Sequence, residues 1–385
     1  MSPQGAGERI IITGATGFLG EQILRVLLSR RPEASLVLLI RDTAEQSASQ
    51  RLDTLLKRCL GQEKSLLARR RIEVLPGDVT AERVGLSERD WSAAAEGATR
   101  IIHGAASVRF DMSLEEARGI NVAGACNMLR LAEEAHRGGT LRSFTYVSTS
   151  FVAGRREGLV REDELETGQR FRNSYEQSKC EAEALVGGRA AELPVTILRP
   201  SIIVGDSRTG VTSSFHTIYW PLRVYARKGW RILPGRPDTQ VDMVPVQFVA
   251  EATERLAFES LAAGGTFHLC AGPDRSATIG EIVESAARFF HLPPPRFVPP
   301  MLFLTLLRPL LAATLWGPKR RILRQGRFYR PYLDMRLEFD TTRADALLGP
   351  AGIAPPRVMD YLERLFAFCV ETDWGRRLPG QAAAP

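Results

Sequence analysis

Cysteine is scarce in this chain of 385 residues, and the five present, Cys59, Cys126, Cys180, Cys270 and Cys369, are odd in number and widely separated. With no CxxC pair and no Cys/His ligand spacing, they argue against a disulfide framework or a zinc site, and a reducing compartment is expected. No block of one charge sign dominates either. The net charge is +7 with acidic residues spread among the arginines, which speaks against a nucleic-acid partner but leaves room for anionic ligands. No secretory leader precedes the first strand pattern in MSPQGAGERIIITGATG, so a cytoplasmic location is expected. No apolar run reaches the length of an ordinary membrane span; the nearest, residues 301–316, is too short and contains Arg308 and Pro309.

What the chain does have is enough apolar residue, 44%, to bury a large core. Short apolar runs at 9–13, 36–40, 72–75, 100–103, 143–147 and 195–198 alternate with helical patterns. Strands apolar on both faces, separated by helices, predict an α/β fold with a Rossmann-type doubly wound parallel sheet. The sheet domain is expected over residues 8–210 and a smaller C-terminal substrate lobe over 211–375. In that lobe, 241–246 and 265–269 read as isolated strands among helices at 248–262 and 279–290. The lobe is interrupted at about 298–330, where the apolar run 301–316 is followed by Lys319, Arg320, Arg321, Arg324, Arg327 and Arg330. That segment reads either as a lid over an active-site cleft or as a monotopic anchor making peripheral contact with a membrane. Both readings imply a hydrophobic substrate.

The segment IIITGATGFLG places Thr13, Gly14, Thr16, Gly17, Phe18, Leu19 and Gly20 where the first strand turns into the first helix, a site for a dinucleotide pyrophosphate. Gly14 would permit the tight turn, Gly17 a close backbone approach to phosphate, and Gly20 close packing of helix on sheet. Arg41 ends the second strand, where an arginine suits the 2′-phosphate of NADPH; the adjacent Asp42 keeps NADH as the alternative. Asp78 and Val79 end the third strand, with Asp78 able to accept from an adenine amino group or to cap the next helix.

A hydroxyl cluster, Ser148, Thr149 and Ser150, ends the fifth strand, and Tyr175 and Lys179 follow four residues apart on a helix. Carbonyl reduction needs a proton donor, and a free tyrosine at about 10 is poorly matched to neutral pH. Lys179 is therefore expected to lower Tyr175, with Thr149 hydrogen-bonding the developing oxyanion. His103 and His216 are given structural roles. Arg223, Arg227, Lys228 and Arg231 suit either an anionic carrier phosphate or a solvated face.

Taken together, TGATGFLG, HGAASVRFD at 103–111, NVAGA at 121–125, the YVSTS strand, the Tyr175/Lys179 pair, LRPSIIVGDSRTG at 198–210 and VDMVPVQFVAEA at 241–252 resemble the extended short-chain dehydrogenases/reductases. Within them the match is to the branch of thioester reductases, carboxylic acid reductases and fatty acyl-CoA reductases, also called male sterility proteins, and it covers roughly residues 9–290. The resemblance implies catalysis by Thr149, Tyr175 and Lys179. It implies a cofactor site completed by Gly104, Ala105, Ala106, Asn121 and Pro200 beside Arg199. It also implies reduction of an acyl thioester, carried by CoA or an acyl carrier protein, to aldehyde or alcohol. Two departures stand out: Gln247 occupies a position where the family often has Asp, and no adenylation or carrier region accompanies these motifs, so a diffusible or separately carried substrate is expected. The alternative is a ketoreductase or hydroxy dehydrogenase acting on a sterol-like or polyketide-like molecule. A sugar-nucleotide epimerase or dehydratase is disfavoured, because Ser150 and Phe151 rather than an acidic pair follow Thr149. A non-catalytic dinucleotide sensor is disfavoured by the retained Tyr/Lys pair.

Overall fold

The computed structural model describes residues 7–228 and 231–377. Seven strands form one parallel sheet: β1 (Arg9–Thr13), β2 (Ser35–Ile40), β3 (Ile72–Pro76), β4 (Arg100–His103), β5 (Ser143–Val147), β6 (Val195–Pro200) and β7 (Thr266–Leu269). Their order is β3-β2-β1-β4-β5-β6-β7. The chain reverses direction across the sheet at β1, opening a crevice at the carboxyl ends of β1 and β4. Register brings the critical strand ends level there, with Thr13 opposite His103 and His103 opposite Tyr146.

Helices cover both faces, which is why Ile10, Ile11 and Ile12 are buried in succession rather than alternately. On one face lie α2 (Leu114–Arg137) and α3 (Ser174–Gly187), contributing Met128, Ala132, Ala182 and Val186 to a core shared with Phe144 of β5. On the other, α1 (Phe18–Arg30) packs beside α4 (Val246–Phe258), so that Leu24, Leu27, Ala250 and Ala257 meet Ile10 and Ile12. Ser113 starts α2 with a reciprocal capping box to Glu116, and Asn173 caps α3 by accepting from the Glu176 amide.

The domain boundary expected at 210/211 is crossed by the sheet. Strand β7, read from sequence as isolated, pairs with β6, and α4 is the crossover that returns the chain to it. The alternation does not stop after β6; an inserted stretch delays it. The run expected as one strand at 241–246 also divides. Gln240–Val241 pairs antiparallel with Ala277–Thr278, and Met243–Pro245 pairs parallel with Ile202–Val204. Asp242 lies between them, its buried carboxylate accepting from the amides of Ala271 and Gly272 at 2.8 Å each. The lobe's own core gathers around α5 (Ile279–Phe290) and α6 (Val358–Glu371), with Tyr219, Ile282, Tyr361 and Phe366 buried together. Among the described residues no helix is long and apolar enough to cross a membrane.

Candidate active site

The glycine turn between β1 and α1 is tightly built and leaves the start of α1 open. Gly14 has φ +77°, and a Cβ there would lie 2.7 Å from the Ala105 amide, so the turn needs glycine both for its backbone and for its approach to the loop after β4. Gly17 is the N-cap of α1 and offers no side-chain cap, leaving first-turn N–H groups for an anion. Gly20 differs from expectation in its reason: a Cβ would meet the Gly14 carbonyl oxygen at 2.1 Å, so it fits the helix to the turn rather than to the sheet. Thr13 is buried, its hydroxyl 2.7 Å from His103 Nδ1 and accepting from the Ala105 amide at 3.2 Å. Burial holds His103 down at about 3, with Lys179 repelling its proton further, so the ring is neutral and structural.

Past the ends of β2 and β3, Arg41 is exposed and pairs with Asp78 at 3.1 Å. Asp78 also accepts from the Thr80 amide at 2.9 Å and hydroxyl at 2.8 Å, so the loop uses it locally. Asp42 is committed as well, accepting from the Ala48 amide at 2.6 Å where the helix Ala48–Leu60 begins. Sequence reasoning missed Arg51. From that helix it donates to the Arg41 carbonyl and, at 3.2 Å, to the Thr16 hydroxyl, so a second guanidinium joins Arg41 and Thr16. Val79 is held from behind by Asn127, whose amide donates to the Val79 and Ala81 carbonyls. Phe18 and Leu19 open α1 next to Gly17, and Ala106 is exposed on the loop after β4.

Asn121 stands differently from the expected cofactor contact. It is buried and its amide is fully engaged, accepting from the Ser107 amide at 2.8 Å and donating to the Ser107 carbonyl and the Ser178 hydroxyl. It ties the loop after β4 to α3 and so positions both. Gln247 bridges to Ser207 through its own amide, donating to the hydroxyl at 2.5 Å.

Thr149 lies within reach of Tyr175, and Lys179 stands on the same helix as Tyr175, while the neighbouring hydroxyls Ser148 and Thr149 differ in what each touches. Ser148 is hydrogen-bonded to the buried carboxylate of Glu183, which in turn grips Arg199 at 2.5 Å. Thr149 is the hydroxyl that reaches Tyr175, its other contacts being the Pro200 carbonyl at 3.4 Å and the Phe151 amide at 3.3 Å. Lys179 donates to the Tyr146 hydroxyl and the Val147 carbonyl, both at 2.7 Å. Tyr146, a strand residue that reads as core in the sequence, is thus the unexpected member of the cluster.

The expected lowering of Tyr175 by Lys179 is not what this arrangement gives. Burial pushes the Tyr175 phenol up to about 12, a hydrogen bond with Thr149 opposing and Glu176 adding to the rise. Burial likewise pulls Lys179 down to about 7 against the attraction of Glu183. The ammonium faces Tyr146 and a carbonyl instead of the Tyr175 phenol, so dryness governs both groups. Tyr175 is accordingly protonated across the physiological range. Loss of the Lys179 proton above about pH 7 should depress kcat/KM on the alkaline side, and Lys179→Met should abolish that limb of the profile. Stability moves oppositely: an unfolded lysine keeps its proton to about 10.5, so raising pH from 7 towards 10.5 removes the cost of burying this ammonium.

Tyr175 faces an apolar cavity with about 1120 Å³ of space between its atoms, part of it open to solvent. Phe110 and Phe151 flank its catalytic end, and Leu222, Ile282, Ala286 and Met335 extend it into the lobe. Tyr332 closes one wall, stacking on Phe110 with ring centroids 5.7 Å apart. Its hydroxyl donates at 2.7 Å to Glu176, the residue after Tyr175, and accepts from Asn173.

The male sterility protein profile matches residues 12–253, spanning the glycine turn, the Thr/Tyr/Lys cluster and α4 up to its last turn. The chain belongs to the male sterility protein family. It is an NAD(P)-dependent reductase of the extended short-chain type, and the glycine turn with its open helix N-terminus fits a nicotinamide dinucleotide. This reductase is 24% identical over 443 aligned positions to the probable fatty acyl-CoA reductase 5 of Arabidopsis thaliana, covering 88% of the chain and 89% of the plant protein. It is 30% identical over 272 positions to the nonribosomal peptide synthetase asaC of Aspergillus flavus, covering 68% of the chain but only 26% of the synthetase. Among solved structures, the terminal R domain from the myxalamid PKS-NRPS biosynthetic pathway superposes with a TM-score of 0.81 at 28% identity, covering 98% of this chain and 94% of that one. A UDP-glucuronic acid 4-epimerase from Bacillus cereus, 16% identical with a TM-score of 0.65 over 94% of this chain and 97% of its own, shares the fold.

Proposed function

We propose that this reductase uses NADPH to reduce the thioester of a long apolar acyl chain, carried by CoA or an acyl carrier protein, to the aldehyde. The observation that carries the reading is the apolar cavity leading from Tyr175 into the lobe. The turn from Gly14 to Gly20 would hold the nicotinamide dinucleotide, which when bound would supply hydride to the acyl carbon. Tyr175 gives its proton to the acyl oxygen as the charge develops, and Thr149 hydrogen-bonds the same oxygen. The resulting thiohemiacetal breaks its C–S bond, the sulfur leaving as thiol and the oxygen reforming a carbonyl. Relatives named as fatty acyl-CoA reductases and a nonribosomal peptide synthetase fit a thioester substrate.

An apolar channel selects by length. Each buried methylene is worth about 0.8 kcal/mol, so kcat/KM should rise roughly threefold to fourfold per added carbon until the cavity is filled. Turnover measured across acyl-CoA lengths tests this; a flat profile would remove the cavity from the substrate's path. Ala286→Phe should shorten the preferred chain without harming short substrates.

NADPH is favoured over NADH because Arg51 donates to the Arg41 carbonyl at the end of β2, bringing two arginines there, while the Asp42 carboxylate is engaged by the Ala48 amide. Charge-assisted bonds of this kind contribute about 1.5–3 kcal/mol. Removing either guanidinium should raise the KM for NADPH about 10- to 100-fold and leave that for NADH nearly unchanged. Equal effects on both cofactors would mean that the arginines do not read the 2′-phosphate.

A further inference from the structure

Of the two readings of the apolar-then-basic insertion, a lid or a membrane contact, the cavity lining gives no support to the lid. Cavity-lining residues stop at Pro295 and resume at Tyr329, so the segment leaves and re-enters the fold at the cavity wall without lining it. Its root is fixed by Arg296–Val298, which pairs in parallel with Ile232–Pro234. From there Pro300–Leu302, Phe303–Leu307 and Arg308–Thr314 run on as consecutive helical turns, and Gly317–Gln325 forms a second helix packed against the last of them. None of the described side chains from 300 to 325 is fully buried. Met301 is 70% exposed, Leu306 61%, Leu310 58% and Trp316 78%. Leu302, Leu306 and Leu310 recur every four residues, a row along one helix face.

The charge of the chain is concentrated on the same element. Between Glu284 and Asp334 there are nine cations and no anion, so the rest of the chain sums to −2 although the whole is +7. Elsewhere arginines are commonly paired, as in Arg118 with Glu181 or Arg236 with Asp238. Among the described residues, none of the seven cations from Arg308 to Arg330 is in an ion pair; Arg327 lies over the Phe328 ring instead. An exposed leucine row, an exposed tryptophan and adjoining unpaired cations match an interface that is apolar beneath and anionic above.

We infer that residues 300–327 form an interfacial docking hairpin for an anionic lipid bilayer, seating the mouth of the substrate cavity at the membrane surface. An acidic protein would satisfy the cations, but the exposed Leu row and Trp316 beside them suit penetration among acyl chains. The inference goes beyond the proposed reduction, since vesicle binding can be read without turnover.

The test uses the full chain with vesicles of phosphatidylcholine containing about 30 mol% phosphatidylserine, against pure phosphatidylcholine, scored by co-sedimentation. Binding to the anionic vesicles alone, weakened by salt, is expected. Arg320→Gln/Arg321→Gln/Arg324→Gln should weaken partitioning about a hundredfold, and Leu306→Ser/Leu310→Ser should also release the protein. Both variants should keep wild-type turnover of a short, soluble acyl-CoA, which separates loss of docking from loss of folding. Equal binding to both vesicle types, unchanged binding of the variants, or capture by an acidic carrier protein with no vesicle binding would overturn the inference.

Discussion

Tyr175→Phe should lose about 10³- to 10⁴-fold in kcat, while nicotinamide dinucleotide binding, followed by fluorescence titration, should change little. The phenol is the group that both reaches Thr149 and lines the cavity. Held up at about 12 by burial, it is protonated at every physiological pH, as the proposed acid role requires. Its removal leaves the developing oxyanion with one hydrogen bond from Thr149 and no proton source in an apolar chamber. Thr149→Ala should cost less, about 10²- to 10³-fold, as expected for loss of one oxyanion donor. Ser148→Ala should affect stability more than rate, because its hydroxyl serves Glu183. If Tyr175→Phe retained activity within tenfold of wild type, the proton would have to come from elsewhere.

Glu183→Ala should destabilise the fold by about 3–5 kcal/mol, seen as a shift in the urea midpoint with little change in slope. Glu183 and Arg199 are both buried and paired at 2.5 Å, and Arg199 also reaches the Glu162 carbonyl and His268. Removing the carboxylate strands a guanidinium between β5, α3 and β6 and deprives Lys179 of its nearest opposing charge. By contrast, breaking the exposed Arg118–Glu181 pair, equally short at 2.7 Å, should cost under about 1 kcal/mol because water screens it. Similar losses from the two variants would show that the buried pair is not under the dry conditions described.

The parts of the fold that follow from local rules were legible in the sequence. Strands β1, β4 and β5 fall where the apolar runs place them, and α5 spans the residues its amphipathic pattern marks. The glycine turn and the spacing of Tyr175 and Lys179 are local, so they could be read directly. Strand β7 was legible as a strand at 265–269 but its place in the sheet was not, since four residues after a long insertion carry no sign of the partner they join. The same limit hid the site's long-range partners. Arg51, Tyr146 and Tyr332 lie 35, 33 and 156 positions from Thr16, Lys179 and Glu176, and no spacing rule connects them. The pairing of Lys179 with Tyr146 also explains why a phenol lowered by its lysine was a natural expectation: four residues on a helix share a face, but sharing a face does not fix where an ammonium points. The insertion illustrates the reverse case. Its composition was plain, yet only its exposure distinguishes a lid from a surface meant for something outside the chain.

The most direct test of thioester reduction is to follow NADPH oxidation and free thiol together while purified protein turns over a long-chain acyl-CoA. The account predicts that both appear at the same initial rate and that both vanish in Tyr175→Phe. Reduction of a hydrophobic ketone with no thiol released from any acyl-CoA would contradict it and make the protein a ketoreductase.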